Sequence, residues 1–296
     1  MTHPVSPANS ADIAAREQRI KIRRERLALL RKNKAFIAGT ALLGFWVFCS
    51  IVGNLITPHD PQQIDLMAIN LAPSGTYLLG TDSLGRDVLS RVIIGARPIL
   101  FMAVGATVIG TVLGTTIGLI AGYYKGMVDA VIMRLVDAMS AIPVIVLALL
   151  AVATLQRPSN LLTLLIIGIV FTPIIARTVR AAVLGEVELD YVASARLRTE
   201  KVPHILAIEV LPNVLAPIIV EFTVRLGYAV FAIATLSFLG AGVQIGSPNW
   251  GSQVAENYSQ MYGNIWWSTV FPAGAIATLA IGVNLIADGL TEVFEQ

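Results

Sequence analysis

Glu221 and Arg225 stand four residues apart in an apolar stretch that holds no other charge, and Arg134 and Asp137 stand three apart at the start of another. Between the apolar segments 161–184 and 214–243 the run Tyr191 to Asn213 carries Arg196, Arg198, Glu200, Lys201, His204 and Glu209. At i, i+3 and i, i+4 an acid and a base share one helix face and can neutralise each other. The chemistry on offer is therefore ion pairing and docking rather than bond making. There is no Gly-rich phosphate loop followed by Lys-Ser/Thr, and no Ser/His/Asp set or relay of carboxylates on a common surface. His3, His59 and His204 adjoin no Cys and no paired carboxylates at ligand spacing, so neither a metal nor another cofactor is expected. The single Cys49 lies in an apolar run and reads as packing. No catalytic residue is expected, and any uphill transport must draw its energy from a partner.

The elements that position these residues follow from composition. Hydrophobic residues make up 55% of 296 residues and charged ones 14%, with a mean hydropathy of +0.73; a soluble domain carries about a quarter charged residues. This is an integral membrane protein, all-α, with one bundle. Six segments have the roughly twenty apolar residues that cross a ~30 Å hydrocarbon core: 35–56, 97–122, 131–155, 161–184, 214–243 and 266–287. Residues 1–34 form a basic tail with Arg16, Arg19, Lys21, Arg23, Arg24, Arg26, Arg31 and Lys32. Positive charge marks the cytoplasmic side, so the tail, and with six spans the C-terminus, are expected to be cytoplasmic. Lys125 and the stretch from Arg177 to Lys201 then fall inside, and the Lys- and Arg-free 244–264 loop falls outside. The tail is too long for a cleaved signal and lacks a small-residue cleavage pattern. It contains no Gly or Pro from Ala11 to Lys34 and is expected to form a basic helix on anionic lipid, as a topology determinant or a specific contact. The net charge of +2 is small, and no nucleic-acid partner is expected.

The external loop 57–96 starts irregular, with Pro58, Pro61 and Pro73. Gly80 permits a tight turn, and Thr81 or Asp82 is placed to cap a following helix. Leu84, Val88 and Val92 at i, i+4, i+8 against Arg86, Asp87, Ser90 and Arg91 predict an amphipathic helix lying at the outer interface. In the second span Gly110, Gly114, Gly118 and Gly122 recur every four residues, a stripe that lets helices approach closely. Pro143 removes a hydrogen bond inside the third span and predicts a kink. Glu221 and Arg225 admit two readings: an ion pair lining a polar pathway, or charges on a cytoplasmic extension at the inner interface. The apolar run Leu226 to Val243, long enough to span unaided, favours the second. The loop around Asn249-Trp250 and Glu256-Asn257-Tyr258 either meets an external partner or caps the bundle.

In the 188–213 loop, Tyr191, Val192, Ala195 and Leu197 supply apolar contacts to a first helix. The chain turns near Thr199, and a second helix starts with Pro203 in its first turn, where proline is tolerated. Ile205, Leu206 and Ile208 lead to Leu211-Pro212-Asn213, where Pro212 restarts the chain into the membrane. Two short helices joined by a turn make a protrusion able to enter a cleft on a soluble partner. The segment Ala193-Ser194-Ala195-Arg196 through Val210-Leu211-Pro212-Asn213 resembles the EAA loop of ABC-transporter permeases of the type I importer fold. Four further strings, LLGTDSLGRDVLSRVIIGAR at 78–97, MRLVDAMSAIP at 133–143, LSFLGAGVQIGSPNWG at 236–251 and NLIADGL at 284–290, are similar to the dipeptide/oligopeptide/nickel permeases. Among these the chain looks like the subunit type with a basic tail, and the resemblance runs from about residue 34 to the end. It implies a six-span permease paired with a homologous second permease as a heterodimer, two cytoplasmic ABC ATPase subunits docked on the 191–213 loops, and an extracytoplasmic substrate-binding protein. Tyr191, Ala193, Ala195, Arg196, Arg198, Thr199, Ile205, Leu211, Pro212 and Asn213 would be the coupling residues, and Gly80, Thr81, Asp82, Gly85, Arg86 and Asp87 an external interfacial motif. Ala193 stands where the family usually has Glu, and Thr199 where it usually has Gly. Peptides lead as substrate, with nickel chelates and other small solutes behind; an ion-coupled secondary transporter acting alone is the alternative.

Overall fold

The first apolar segment forms α1 (Lys34–Ile56), started by Asn33, whose side chain accepts the Phe36 amide at 2.9 Å, one of the donors that a helix start leaves without a partner. In the computed structural model, which describes residues 28–155, 159–240 and 246–295, the chain continues through α2 (Val88–Tyr124), α3 (Gly126–Ser140), α4 (Val144–Leu155), α5 (Asn160–Glu186) and α6 (Asp190–Leu197). A helical run over 202–213 leads to α7 (Leu215–Phe238), α8 (Trp250–Asn257) and α9 (Trp267–Glu295). Among the described residues no strand forms. The chain before residue 28, with most of the expected basic helix, lies outside the described residues, as does Arg157.

Among the described residues five helices, α1, α2, α5, α7 and the 267–293 part of α9, are long and apolar enough to cross a membrane. The remaining expected span, 131–155, is divided instead between α3 and α4, with the break at residues 141–143. Pro143 has no amide hydrogen and disfavours helical backbone in the residue before it; here it separates two helices rather than kinking one. The expected pairing of Arg134 with Asp137 is replaced by a contact between helices: Arg177 of α5 donates to Asp137 at 2.8 Å and to Ser140 at 2.9 Å. Arg180, one turn further along α5, pairs with Asp129.

Close packing of α2 on α5 holds the centre. A Cβ on Gly114 would lie 2.7 Å from the Ile175 Cβ, one on Gly118 2.7 Å from the Val179 Cβ, and one on Gly122 2.7 Å from the Val183 Cγ1. The four-residue glycine stripe is thus a packing seam. A second seam joins α1 to α9, where a Cβ on Gly39 would lie 2.6 Å from the Gly282 carbonyl and Trp46 donates to Thr278 at 3.1 Å. Nothing in the sequence periodicity singled out that pair of glycines.

Candidate functional site

At one end of α2, the helix expected to start at Thr81 or Asp82 begins only at Val88, capped by Asp87, which accepts the Ser90 amide at 2.9 Å. Residues 80–87 form a tight turn with Gly80 and Gly85 at φ +76° and +73°. A side chain at Gly85 would overlap the Asp65 carbonyl as well as forcing a left-handed backbone. The turn is buried. Thr81, Asp82, Arg86, Asp87 and Arg91 are each 4% exposed or less. One oxygen of Asp82 accepts the amides of Leu84 (2.9 Å) and Arg86 (3.0 Å), and the other accepts Arg86 Nε at 2.7 Å. Glu256 of α8 receives Arg86 at 2.5 Å and Arg91 at 3.4 Å. Two carboxylates thus face two guanidinium groups, which is what makes buried charge tolerable.

The motif is therefore the ionic core of the bundle end and not a helix lying flat on the interface. α8 closes over it: Trp250 donates to the Val92 carbonyl at 2.7 Å and Gln253 to the Arg91 carbonyl at 3.0 Å. Asn249, Trp250, Gln253 and Asn257 are buried, so this segment caps the bundle. The sequence signal was present in the five polar side chains of the 249–257 segment, too many for a plain connector.

At the other end of α2, ~55 Å away along the helix axis, lies the charged loop. Val192, Ala195, Ile205, Val210 and Val214 are at most 1% exposed and extend the apolar core of the bundle into the loop. Tyr191 ties the two ends of the motif together: its hydroxyl donates to Glu186 at 2.6 Å and accepts from Asn213 at 3.1 Å. Burial first, then the Glu186 carboxylate, pushes this phenol up to about 12. A raised acid pKa favours the protonated folded form, so its contribution is fully present below the ordinary tyrosine value of ~10 and lost as pH rises toward 12. Arg196 lies over the Tyr123 ring at 4.8 Å and Lys125 pairs with Glu188, which fastens the loop to the end of α2. The Lys125 ammonium holds the Glu188 carboxyl below its usual range. Arg198 bonds Glu200 at 2.7 Å and lies 3.4 Å from Glu209, bridging the loop's two arms.

The second arm starts with Pro203 in its first turn, as expected, and then widens into a π-helix over Ile205–Val210, its Leu211 amide bonding the Leu206 carbonyl. Pro212 sits in the closing turn Leu211–Asn213. Leu197, expected to pack inward, is 84% exposed, and Ile208 is 58% exposed; α6 turns Leu197 outward because Val192 and Ala195 fill its inner face, and in the second arm Ile205 and Val210 take the buried face in place of Ile208. Ala193 is exposed as well.

Thr199 occupies the left-handed turn at φ +56°, a conformation costing a non-glycine residue ~1–2 kcal/mol. Thr199→Gly is expected to stabilise the loop by ~1 kcal/mol, read as slower amide exchange over residues 195–205. Unchanged or faster exchange would contradict a strained turn.

The geometry is that of a rigid, charged hairpin held at the end of a long-helix bundle. A family model described as binding-protein-dependent transport system inner membrane component matches residues 114–296. The chain belongs to this family. A second model, the N-terminal TM domain of oligopeptide transport permease C, matches residues 23–73 of the permease. A dipeptide transport system permease protein of Haemophilus influenzae is 35% identical over 271 residues, covering 90% of this chain and 91% of its own. A di/tripeptide transport system permease protein of Pseudomonas aeruginosa is 36% identical, covering 89% and 88%, and a dipeptide transport system permease protein of Alkalihalophilus pseudofirmus is 36% identical, covering 92% and 89%. The permease thus has the type I importer fold and is a multi-pass inner-membrane subunit of a binding-protein-dependent ABC importer. Such systems work with ATPase and binding-protein partners.

Glu221 and Arg225 form an ion pair at 2.5 Å on α7, with Arg225 lying 5.1 Å from the Tyr228 ring centroid. α7 ends at Phe238, so the helix left beyond the pair, Leu226 to Phe238, is only ~20 Å long. That is shorter than a ~30 Å hydrocarbon core.

Proposed function

We propose that this permease carries small peptides across the inner membrane, driven by two ATPase subunits that dock on the 191–213 loops of this chain and of a homologous second permease. An extracytoplasmic binding protein delivers the substrate to the opposite face, and both termini and the charged loop are cytoplasmic. The observation that carries this reading is the loop itself: a hairpin whose buried side chains continue the bundle's core, tied to α2 and α5, that turns Leu197, Ile208 and several charges outward. Such a body transmits a push to the helices instead of absorbing it. The names of the three relatives supply the peptide class.

The short apolar stretch beyond Arg225 favours placing Glu221 and Arg225 at membrane depth. Ionised groups there face protein or a water-filled route rather than lipid. Tyr228 and Thr235 follow at helical spacing on the same side of α7, and we assign that face to the substrate route. The test is peptide uptake by proteoliposomes holding all four membrane and ATPase subunits, the binding protein and ATP. Uptake should require all of them, and Glu221→Gln should lower it about tenfold while leaving subunit assembly intact, the loss of one charge-assisted contact of ~1.5 kcal/mol. Uptake driven by an ion gradient without ATPase subunits would support the secondary-transporter alternative instead.

A further inference from the structure

Where α1 and α2 diverge beside the start of α5, they leave a groove of about 750 Å³. Its walls are mostly apolar, including Val47, Phe101 and Val104, and Arg97, Ser50 and Asn160 also line it. Arg97 is exposed. It differs from Arg86 and Arg91, eleven and six residues earlier on the same chain segment, which are both held by Asp82 and Glu256. No carboxylate pairs with Arg97 among the described residues.

The depth of this cation can be read along α2. From Arg97 to Tyr124, the last residue of the helix, the axis runs ~40 Å, close to the ~40–45 Å of a bilayer with its headgroups. Tyr123 and Tyr124 at the far end are residues that settle at the membrane–water boundary. Arg97 then lies at the headgroup level of the opposite leaflet, the one toward the 57–87 loop, with an apolar channel beginning one turn deeper at Phe101 and Val104. An unpaired guanidinium above an apolar groove matches an anionic headgroup above an acyl chain, and a guanidinium binds phosphate through paired donors.

We propose that this groove is a site for an acidic phospholipid, its phosphate held by Arg97 and one acyl chain lying against Val47, Phe101 and Val104. The lipid would fill the space between α1 and α2 and so act as a wedge holding the first helix at its distance from the core. The site is independent of what the permease transports.

The test uses the assembled transporter, purified in mild detergent from membranes supplemented with phosphatidylglycerol, with retained lipid counted by native mass spectrometry. Arg97→Ala should lower retained phosphatidylglycerol by about fivefold, the factor one basic residue contributes at an anionic surface. Arg97→Lys should keep most of it, and phosphatidylcholine should show no difference between the variants. Val104→Trp, which leaves the charge and fills the groove, should also reduce retention. Since Arg97 is exposed and unpaired, its removal should leave the thermal midpoint of the complex stripped of phosphatidylglycerol unchanged. Equal phosphatidylglycerol retention in wild type, Arg97→Ala and Val104→Trp would overturn the proposal. So would displacement by soluble glycerol phosphate, which would mean the site reads a free phosphate, or a disulfide between Phe101→Cys and the second permease, which would mean that protein covers the groove.

Discussion

Arg86→Ala is expected to destabilise the end of the bundle at the start of α2 by ~3–5 kcal/mol, the usual consequence of removing one partner from a buried charge pair. The arginine is 4% exposed and contacts both carboxylates of the cluster, Asp82 at 2.7 Å and Glu256 at 2.5 Å. Without it Asp82, at 2% exposure, keeps only Arg91, whose Nε is 3.6 Å away. The uncompensated carboxylate must either ionise out of water or take up a proton, and either outcome strains the turn that its other oxygen organises. The consequence reaches α8, since Glu256 loses its closer partner and Trp250 and Gln253 rest on the same stretch of α2. The measurement is membrane abundance together with the thermal midpoint of the solubilised transporter, both of which should fall sharply. Adding Asp82→Asn should recover part of the loss, because Asn retains an acceptor for the Leu84 and Arg86 amides without the orphaned charge. An Arg86→Ala protein as abundant and stable as wild type would mean that the cluster is not structural.

The second large effect concerns coupling. Arg196→Glu should abolish substrate-stimulated ATP hydrolysis in the reconstituted transporter, a loss of at least about tenfold, while the permease still inserts and assembles. Arg196 is exposed, so its reversal leaves no buried charge unpaired. It does replace an attraction over the Tyr123 ring, worth ~0.5–1 kcal/mol at an exposed site, with repulsion between two carboxylates, since Glu188 lies in its field. The loop would then lose one of its contacts with the end of α2. Arg198→Glu should do the same by opposing Glu200 and Glu209. Ile205→Pro should match both, as the Ile205 amide bonds the Lys201 carbonyl at 3.1 Å and proline has no amide hydrogen to give. Leu197→Asp offers a different reading of the same surface: it touches nothing inside the chain, so loss of ATPase binding without any change in loop geometry would locate the docking contact. Coupled hydrolysis unchanged in all three loop variants would rule out this hairpin as the transmission element.

Much of the candidate coupling site is legible in the sequence because its signals are local. The apolar positions Val192, Ala195 and Ile205, the turn at Thr199 and the early Pro203 all act within a few residues of themselves, and each lies where it was expected. The outward turn of Leu197 was not legible, since its direction depends on which face of α6 the neighbouring valine and alanine have already filled. Asp137 shows the same limit: Arg134 is its neighbour in sequence, Arg177 its partner in space.

The sequence by itself determined that the chain spans a membrane, that its elements are helices, and that one glycine stripe and one charged hairpin are set apart from the rest. Hydrophobic length, glycine spacing and turn residues are properties of contiguous segments, and a lipid solvent leaves helices as the way to satisfy their backbones. Only the tertiary structure decided the fate of the charges near Thr81 to Arg91. Read along the chain they form a polar face awaiting water; folded, they are enclosed by Glu256, which lies 170 residues away from Arg86 in sequence. Buried charge is stable only with its counter-charge, and a counter-charge supplied by a distant helix leaves no mark on the segment that needs it.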